Sequence, residues 1–380
     1  MRKNLSVILF FLLLSLFLKG NVLAIYDPNS VPNNIVGIHI LFPEEVSDAS
    51  TLVNSNGGDW GYITIPIQST DRDLAKWQTF MDNCRKYHLI PIVRLATEGD
   101  YFNTSSWNKP DYADVLDFAN FLNSLNWPTK NRYIVVYNEV NRNDEWGGQA
   151  DPGEYADILD YATQIFKQRS TDFFIISAGM DNAAANSDTA YNEYSFFRAM
   201  ESSDPEIFSK IDGMASHAYP NPAFSSPPAS RTYESIYSFN YERNLIDYFA
   251  GKTLPIFITE TGWSTSSISD TTQSQYYSYA FANVWNDPDI VAVTPFLFSA
   301  QQGQFTNFSF VIGSTKAAKY YSLENIKKIK GLPTLTEMPL VVSSQPKKLQ
   351  NKSSFEKYIN LTPIKLDPQL NSFVKWFFKI

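Results

Sequence analysis

The sequence predicts an α/β protein folded as a single (β/α)8 TIM barrel, and three observations carry that expectation. Eight segments with strand signals recur along the chain, the segments between them carry the apolar period of helices, and several strands are nearly continuous apolar runs. Such alternation implies parallel strands with helices outside, and runs of this kind suit strands buried on both faces. Eight βα units over about 300 residues match the usual size of the barrel. An open doubly wound sheet would call for a glycine-rich phosphate loop after the first strand, and Gly37-Ile38-His39-Ile40-Leu41-Phe42-Pro43 has none.

The predicted strands start near Ile35 (IVGIHI), Gly61 (GYITIPI), Leu89 (LIPIVRL), Tyr133 (YIVVYNEV), Phe173 (FFIISAG), Gly213 (GMASHAY), Pro255 (PIFITET) and Val291 (VAVTPFLF). Between the second and third strands, with Asp71 as N-cap, Leu74, Trp77, Phe80, Met81, Cys84 and Tyr87 fall on one helical face. After Asp151-Pro152 the same period returns through Tyr155, Ile158, Leu159, Ala162, Ile165 and Phe166, with Asp157, Asp160 and Lys167 off that face. Cys84 is the only cysteine, which excludes an intramolecular disulfide and a cysteine-rich metal site.

The ends of the chain differ from its body. Arg2 and Lys3, the apolar run Leu5 to Leu18 and the small-residue site at Val22-Leu23-Ala24 predict a signal peptide over 1–24, a mature start near Ile25 and a secreted or cell-surface protein. The rival, an uncleaved anchor, needs a span of roughly 20 apolar residues, longer than this run. Past Gly331 five prolines, Pro333, Pro339, Pro346, Pro363 and Pro368, interrupt a stretch rich in Lys, Ser and Asn. We therefore bound the barrel at 25–332 and assign 333–380 to a basic tail. That tail is either a cell-surface contact or a loosely ordered extension whose aromatic end packs on the barrel. The formal charge of -8 argues against a nucleic-acid partner, and 15% aromatic residues with 22 Tyr and 8 Trp suit a protein that handles sugars.

In a (β/α)8 barrel the site forms at the C-terminal ends of the strands, so polar groups that break an apolar strand there are the candidates. Strand four ends in Tyr137-Asn138-Glu139-Val140-Asn141, strand six in His217-Ala218-Tyr219 and strand seven in Thr259-Glu260-Thr261-Gly262-Trp263. Strand one adds His39, strand three Arg94, and strand eight leads into Gln301 and Gln302. Two carboxylates across one barrel mouth are what glycoside cleavage needs, one to protonate the leaving oxygen and one to support or attack the anomeric carbon. Glu139 and Glu260 each directly follow an apolar strand, where a carboxylate is rare without a task.

Asn-Glu on the fourth strand together with Thr-Glu-Thr-Gly-Trp on the seventh resembles clan A of the retaining (β/α)8 glycoside hydrolases, over residues 35 to 320. The resemblance implies an exported hydrolase acting on β-linked oligo- or polysaccharides by double displacement without a cofactor. It implies Glu139 as acid/base, Glu260 as nucleophile, Asn138 on the sugar 2-hydroxyl, Tyr219 hydrogen-bonded to the nucleophile, and His217 lining the subsite. Many clan members carry an arginine on strand two, whereas strand two here ends in Pro66-Ile67-Gln68. That departure leaves the charge partner of Glu260 open, with Arg94 on strand three as the candidate. Strand eight often ends in a tryptophan that floors the subsite, and here Phe298 either takes that place or the floor is absent.

Further expectations concern binding. Trp146 and Trp263 each follow a catalytic strand and are placed to stack on a sugar or to pack the core. His39 either lines the cleft or packs the barrel floor, and Asn141 is a further substrate contact. No metal site is expected, because the three histidines lie on separate segments. Two readings from other classes stay open: a carbohydrate-binding barrel with idle carboxylates, and a surface scaffold working through its tail.

Overall fold

A computed structural model describes residues 25–99 and 106–337. Its eight principal strands are β1 (Gly37–His39), β2 (Gly61–Gln68), β3 (Leu89–Ala96), β4 (Arg132–Val135), β5 (Phe173–Ile176), β6 (Met214–His217), β7 (Ile256–Glu260) and β8 (Ile290–Val293). Helices follow them: α1 (Val46–Val53), α2 (Leu74–Lys86), α3 (Tyr112–Ser124), α4 (Pro152–Arg169), α5 (Glu193–Ser203) with the short α6 (Ile207–Lys210), α7 (Ser238–Ala250), α8 (Asp270–Asn283) and α9 (Ala318–Asn325). A small antiparallel hairpin, β9 (Val311–Ile312) and β10 (Thr315–Lys316), lies between β8 and α9.

The eight strands pair in parallel, as the alternation predicts, but in two sheets, β1 to β5 and β6 to β8, rather than one continuous ladder. Isolated parallel bridges, Ile176 with Gly213 and Val36 with Val293, span the two seams. At the first seam a side chain replaces a ladder bond: the Asp212 carboxylate accepts from Ile175 N at 2.8 Å, while Asp212 N bonds Ile175 O at 2.9 Å. At the second, Pro295 has no N–H to give, and only its carbonyl bonds His39 N, at 3.0 Å.

Side chains two apart share a face of a strand, and this divides the space inside the strands into two storeys. Tyr62, Ile90, Ile92, Tyr133, Phe174 and Phe257 form an apolar plug, with Tyr133 ring to ring against Phe174 at 5.1 Å and Phe257 at 5.2 Å. On β3 the series Ile90, Ile92, Arg94 then turns from apolar to charged. The larger core fills the space between strands and helices, and Cys84 is buried there.

Helix starts follow capping chemistry. Asp151 accepts from Gly153 N at 2.9 Å and Glu154 N at 3.0 Å, as expected. The cap of α2 is Asp73, not Asp71: Asp73 accepts from Lys76 N at 3.0 Å, while Asp71 is taken by the Lys76 ammonium at 2.6 Å. Thr334 O accepts from Lys130 N at 2.7 Å and Leu335 bridges Thr129, so the packed body runs beyond residue 332. The expected signal peptide and most of the expected tail lie outside the described residues. No helix among the described residues is long and apolar enough to cross a membrane.

Gly37 shows how tightly β1 is held. A Cβ there would meet Thr294 Cγ2 at 2.6 Å and Tyr62 O at 2.7 Å, one of them backbone that cannot yield. Gly37→Ala should cost about 1–3 kcal/mol in urea unfolding; an unchanged midpoint would mean that β1 can shift away from β2.

Candidate functional site

The inward-facing ends of β1, β3, β6 and β7 bring His39, Arg94, His217 and Glu260 into one buried cluster. Glu260 Oε1 pairs with Arg94 Nη1, and Glu260 Oε2 accepts from the Tyr219 hydroxyl at 2.9 Å. Arg94 also donates to Asn138 Oδ1, tying the end of β4 to the same carboxylate. His217 Nδ1 stands 3.0 Å from Glu139 Oε1 and 3.9 Å from Glu260 Oε2. Gly179 makes room for that imidazole, since a Cβ would meet His217 Cδ2 at 2.2 Å.

Glu139 follows β4 in a strained backbone, with φ of 38° at Glu139 and 70° at Tyr137, a region side chains rarely adopt. Its N–H bonds Gly179 O at 3.0 Å, so the segment that follows β5 holds the conformation. One oxygen of Glu139, one of Glu260 and one ring nitrogen of His217 lie within 4.8 Å of one another. The two carboxyl groups, but not the buried His217, open onto a cleft of about 560 Å³ that Asn138, Trp107, Tyr219 and Phe296 also line.

Burial alone would raise the Glu260 carboxyl, but His217, Arg94, His39 and the Tyr219 hydrogen bond outweigh it and bring it down to about 2. Burial, reinforced by Arg94, takes His39 down to about 3, so the ring is neutral. For His217 burial acts downward and the two carboxylates upward; the carboxylates win and its pKa is raised. Glu145, also in the cleft, is pushed up to about 8 by burial and by the charge of Glu139, against a hydrogen bond from Asn138.

Glu139, Glu260, Asn138, Arg94, His217 and Tyr219 thus stand together, with Arg94 beside Glu260 in spite of its place on strand three. His39 lies beneath them, fully buried, its Nε2 3.5 Å from Glu260 Oε1 and its ring edge-on to Phe296 at 5.1 Å. Other expectations fail. Trp146 is buried between Tyr137 and Tyr155, and Trp263 is buried against Tyr277 with its N–H on Ser226 O at 2.8 Å. Both rings are packed in the core, the alternative to stacking on a sugar. Asn141 is buried as a clasp, donating to Asp181 O and Tyr191 O at 3.0 Å each. Phe298 is pinned by its N–H on His39 O and its carbonyl on Val311 N, and Phe296 lines the cleft in its stead.

Several lining residues escaped the sequence reading. Glu145 and Arg142 sit in the charged run just after strand four, a signal that was available. Arg142 faces Glu139 at 3.6 Å, Asp181 at 3.3 Å and Asp144 at 2.7 Å. Trp107, from the loop after β3, had no local signal; Trp107 N bonds Asp144 O at 2.7 Å. Although the histidines lie on separate segments, folding gathers Glu139, His217 and Glu260 at ligand spacing. Those donors already serve one another and Arg94, which leaves the trio poorly suited to a cation.

No family model matches the chain, and no curated protein matches it. Solved structures do. A family 39 glycoside hydrolase from the gut symbiont Bacteroides cellulosilyticus aligns at TM-score 0.54 and 16% identity over 78% of this chain and 64% of that one. A GH39 β-xylosidase from Caulobacter crescentus aligns at TM-score 0.53 and 14% identity, over 77% of this chain and 71% of that one. A GH5_18 protein from Streptomyces cattleya, in complex with Manβ1-4GlcNAc, aligns at TM-score 0.57 and 12% identity over 78% and 80%. At these identities the likeness is one of fold. The chain spans less than two thirds of the first of them.

The ionised Glu260 contributes stability that is complete above its ordinary value of 4.5 and is lost as pH falls toward about 2. Arg94→Leu should raise that carboxyl, cost about 3–5 kcal/mol at neutral pH and move acid unfolding to higher pH in circular dichroism. An unmoved acid transition would show that Arg94 does not hold the charge.

Proposed function

We propose that this protein is an exported, retaining glycoside hydrolase that cleaves β-linked glycans at the mouth of a closed (β/α)8 barrel. The observation that carries the reading is the approach of Glu139 and Glu260 within 4.8 Å across one cleft. Carboxyl groups about 5–5.5 Å apart suit direct attack and retention, whereas inversion needs a gap of about 6.5–9.5 Å for a water. The bridges and hydrogen bonds across both seams favour closure of the barrel. The fold shared with structures named as glycoside hydrolases points to the same chemistry, as does the Asn-Glu and Thr-Glu-Thr-Gly-Trp pattern.

In this mechanism Glu260, ionised by its cationic neighbours, attacks the anomeric carbon while a proton passes from Glu139 to the glycosidic oxygen. The bond to the leaving sugar breaks and a glycosyl ester forms on Glu260. Glu139, now a carboxylate, takes a proton from a water whose oxygen attacks the same carbon, releasing the sugar and restoring Glu260. His217 Nδ1 lies within hydrogen-bond reach of Glu139 Oε1, at 3.0 Å. Arg94 and Tyr219 fix the Glu260 oxygens, and Asn138, gripped by Arg94, is set to receive a sugar hydroxyl.

Reducing-sugar release by residues 25–337 from β-glucans, mannan, xylan and galactan tests the reading. Glu260→Gln should abolish release, and wild-type rates in that variant would remove the covalent mechanism. Glu139→Gln should lose about 10²–10⁴-fold on poor leaving groups and far less on activated aryl glycosides, because only the former need the proton. Binding without release in the wild type would turn the protein into a carbohydrate-binding barrel. Export rests on the basic start and apolar run of residues 1–24. N-terminal sequencing of protein recovered from the medium should begin near Ile25, and full retention in the cytoplasm would exclude export.

A further inference from the structure

A second cavity, of about 700 Å³, opens between the loop after β1 and the loop after β8. Phe42, Glu44, Asp48, Phe298, Gln301 and Gln302 are among its walls. Phe42 is 44% exposed and puts an apolar ring in the wall of this cavity. Its mounting is rigid: Glu45 Oε2 accepts from Leu41 N at 2.9 Å and Phe42 N at 3.0 Å, and Pro43 opens the turn that follows. On the opposite wall Phe298 is buried, and the exposed Gln301 donates from Nε2 to Ser299 Oγ at 3.0 Å.

This cavity adjoins the catalytic cleft. Leu41 lines the cleft and its neighbour Phe42 the second cavity; Gly303 and Gln304 line the cleft while Gln301 and Gln302 line the second cavity. A chain leaving the cleft over Leu41 would meet an exposed ring, two amides and the three acids Glu44, Glu45 and Asp48. Sugars match that set, because one ring face offers C–H groups to an aromatic surface while the rim hydroxyls suit planar amides and carboxylates. The sign of the charge narrows the class further. Glu44, Glu45 and Asp48 face the cavity, and its one lysine, Lys316, lies over the Tyr320 ring at 4.0 Å and beside Glu324. Acidic glycans are disfavoured there.

We infer that the second cavity is an accessory binding surface for neutral glycans, continuous with the cleft, in which Phe42 stacks on a sugar ring and Gln301 and Gln302 bind its hydroxyls. The substrate is then a polysaccharide or long oligosaccharide rather than a short glycoside. The identity of the ligand rests on the glycoside-hydrolase reading.

Affinity electrophoresis tests it, with the full chain carrying Glu260→Gln run through gels containing laminarin, mixed-linkage β-glucan, glucomannan, arabinoxylan or polygalacturonate. At least one neutral polysaccharide should retard the protein and polygalacturonate should not. Adding Phe42→Ala should weaken that retardation ~10-fold, the scale of one stacked ring, and Gln301→Ala should weaken it too. With Glu260 intact, Phe42→Ala should raise KM for the polymer while rates on aryl glycosides, too short to reach Phe42, stay within about twofold. No retardation by any neutral polysaccharide, or retardation unchanged in both variants, overturns the surface. Retardation that depends on Phe42 in a wild type without turnover keeps the surface and overturns the hydrolase.

Discussion

The carboxylate of Glu260, buried at the end of β7, is the constraint on which the site depends. Taking such a group from water costs several kcal/mol even after relaxation, so the surroundings must return that energy or the group will take up a proton. His39 comes from β1, Arg94 from β3, and His217 and Tyr219 from the end of β6, so compensation draws on strands of both sheets. His39 is neutral, which leaves Arg94 and His217 to supply charge and Tyr219 a hydrogen bond. A slip of one residue in any of these strands would turn its contribution outward. The register is therefore as much a part of the electrostatics as the residue types are.

Glu139 is governed by a different requirement. It leaves the strand in a left-handed backbone that costs of order 1–3 kcal/mol, held by the bond from its N–H to Gly179 O. The gain is direction, because the side chain turns toward His217 and the cleft. Arg94 joins the two carboxylates through Asn138, so the ends of β4 and β7 are set by one guanidinium. Such an arrangement leaves little freedom for Glu139 to move relative to Glu260.

Strand positions and the residues at strand ends were legible because both are local: an apolar run marks the strand, and a polar residue that breaks it marks the rim. Residues whose role depends on what lies opposite were not. Trp146 and Trp263 carry the same sequence signal whether they face a sugar or the core, and the structure gives both to the core. Phe296 and Phe298 differ only in their backbone partners, which no local pattern reveals. The break in the ladder at β5 and β6 depends on Asp212 reaching Ile175 N, and the cap of α2 on whether Asp71 or Asp73 is engaged by a lysine. Trp107 joins the cleft from a loop whose course no periodicity predicts.

The cleft is crowded with ionisable groups. Glu139, Glu145, Asp144, Asp181 and Glu260 all face it, against the guanidinium groups of Arg94 and Arg142. Were every acid ionised, the arrangement would be strongly repulsive at such short range. The site relieves this unevenly. Arg94 and His217 hold Glu260 ionised, Arg142 lies against Glu139, Asp144 and Asp181 together, and Glu145, with pKa about 8, keeps its proton at neutral pH. Glu260, brought down to about 2, and Glu145, pushed up to about 8, are linked through Asn138 and Arg94. The cleft is thus polarised, with Glu145 retaining its proton at one end of the chain and Glu260 stripped of its own at the other, where Arg94, His217 and the Tyr219 hydroxyl outweigh the cost of burial.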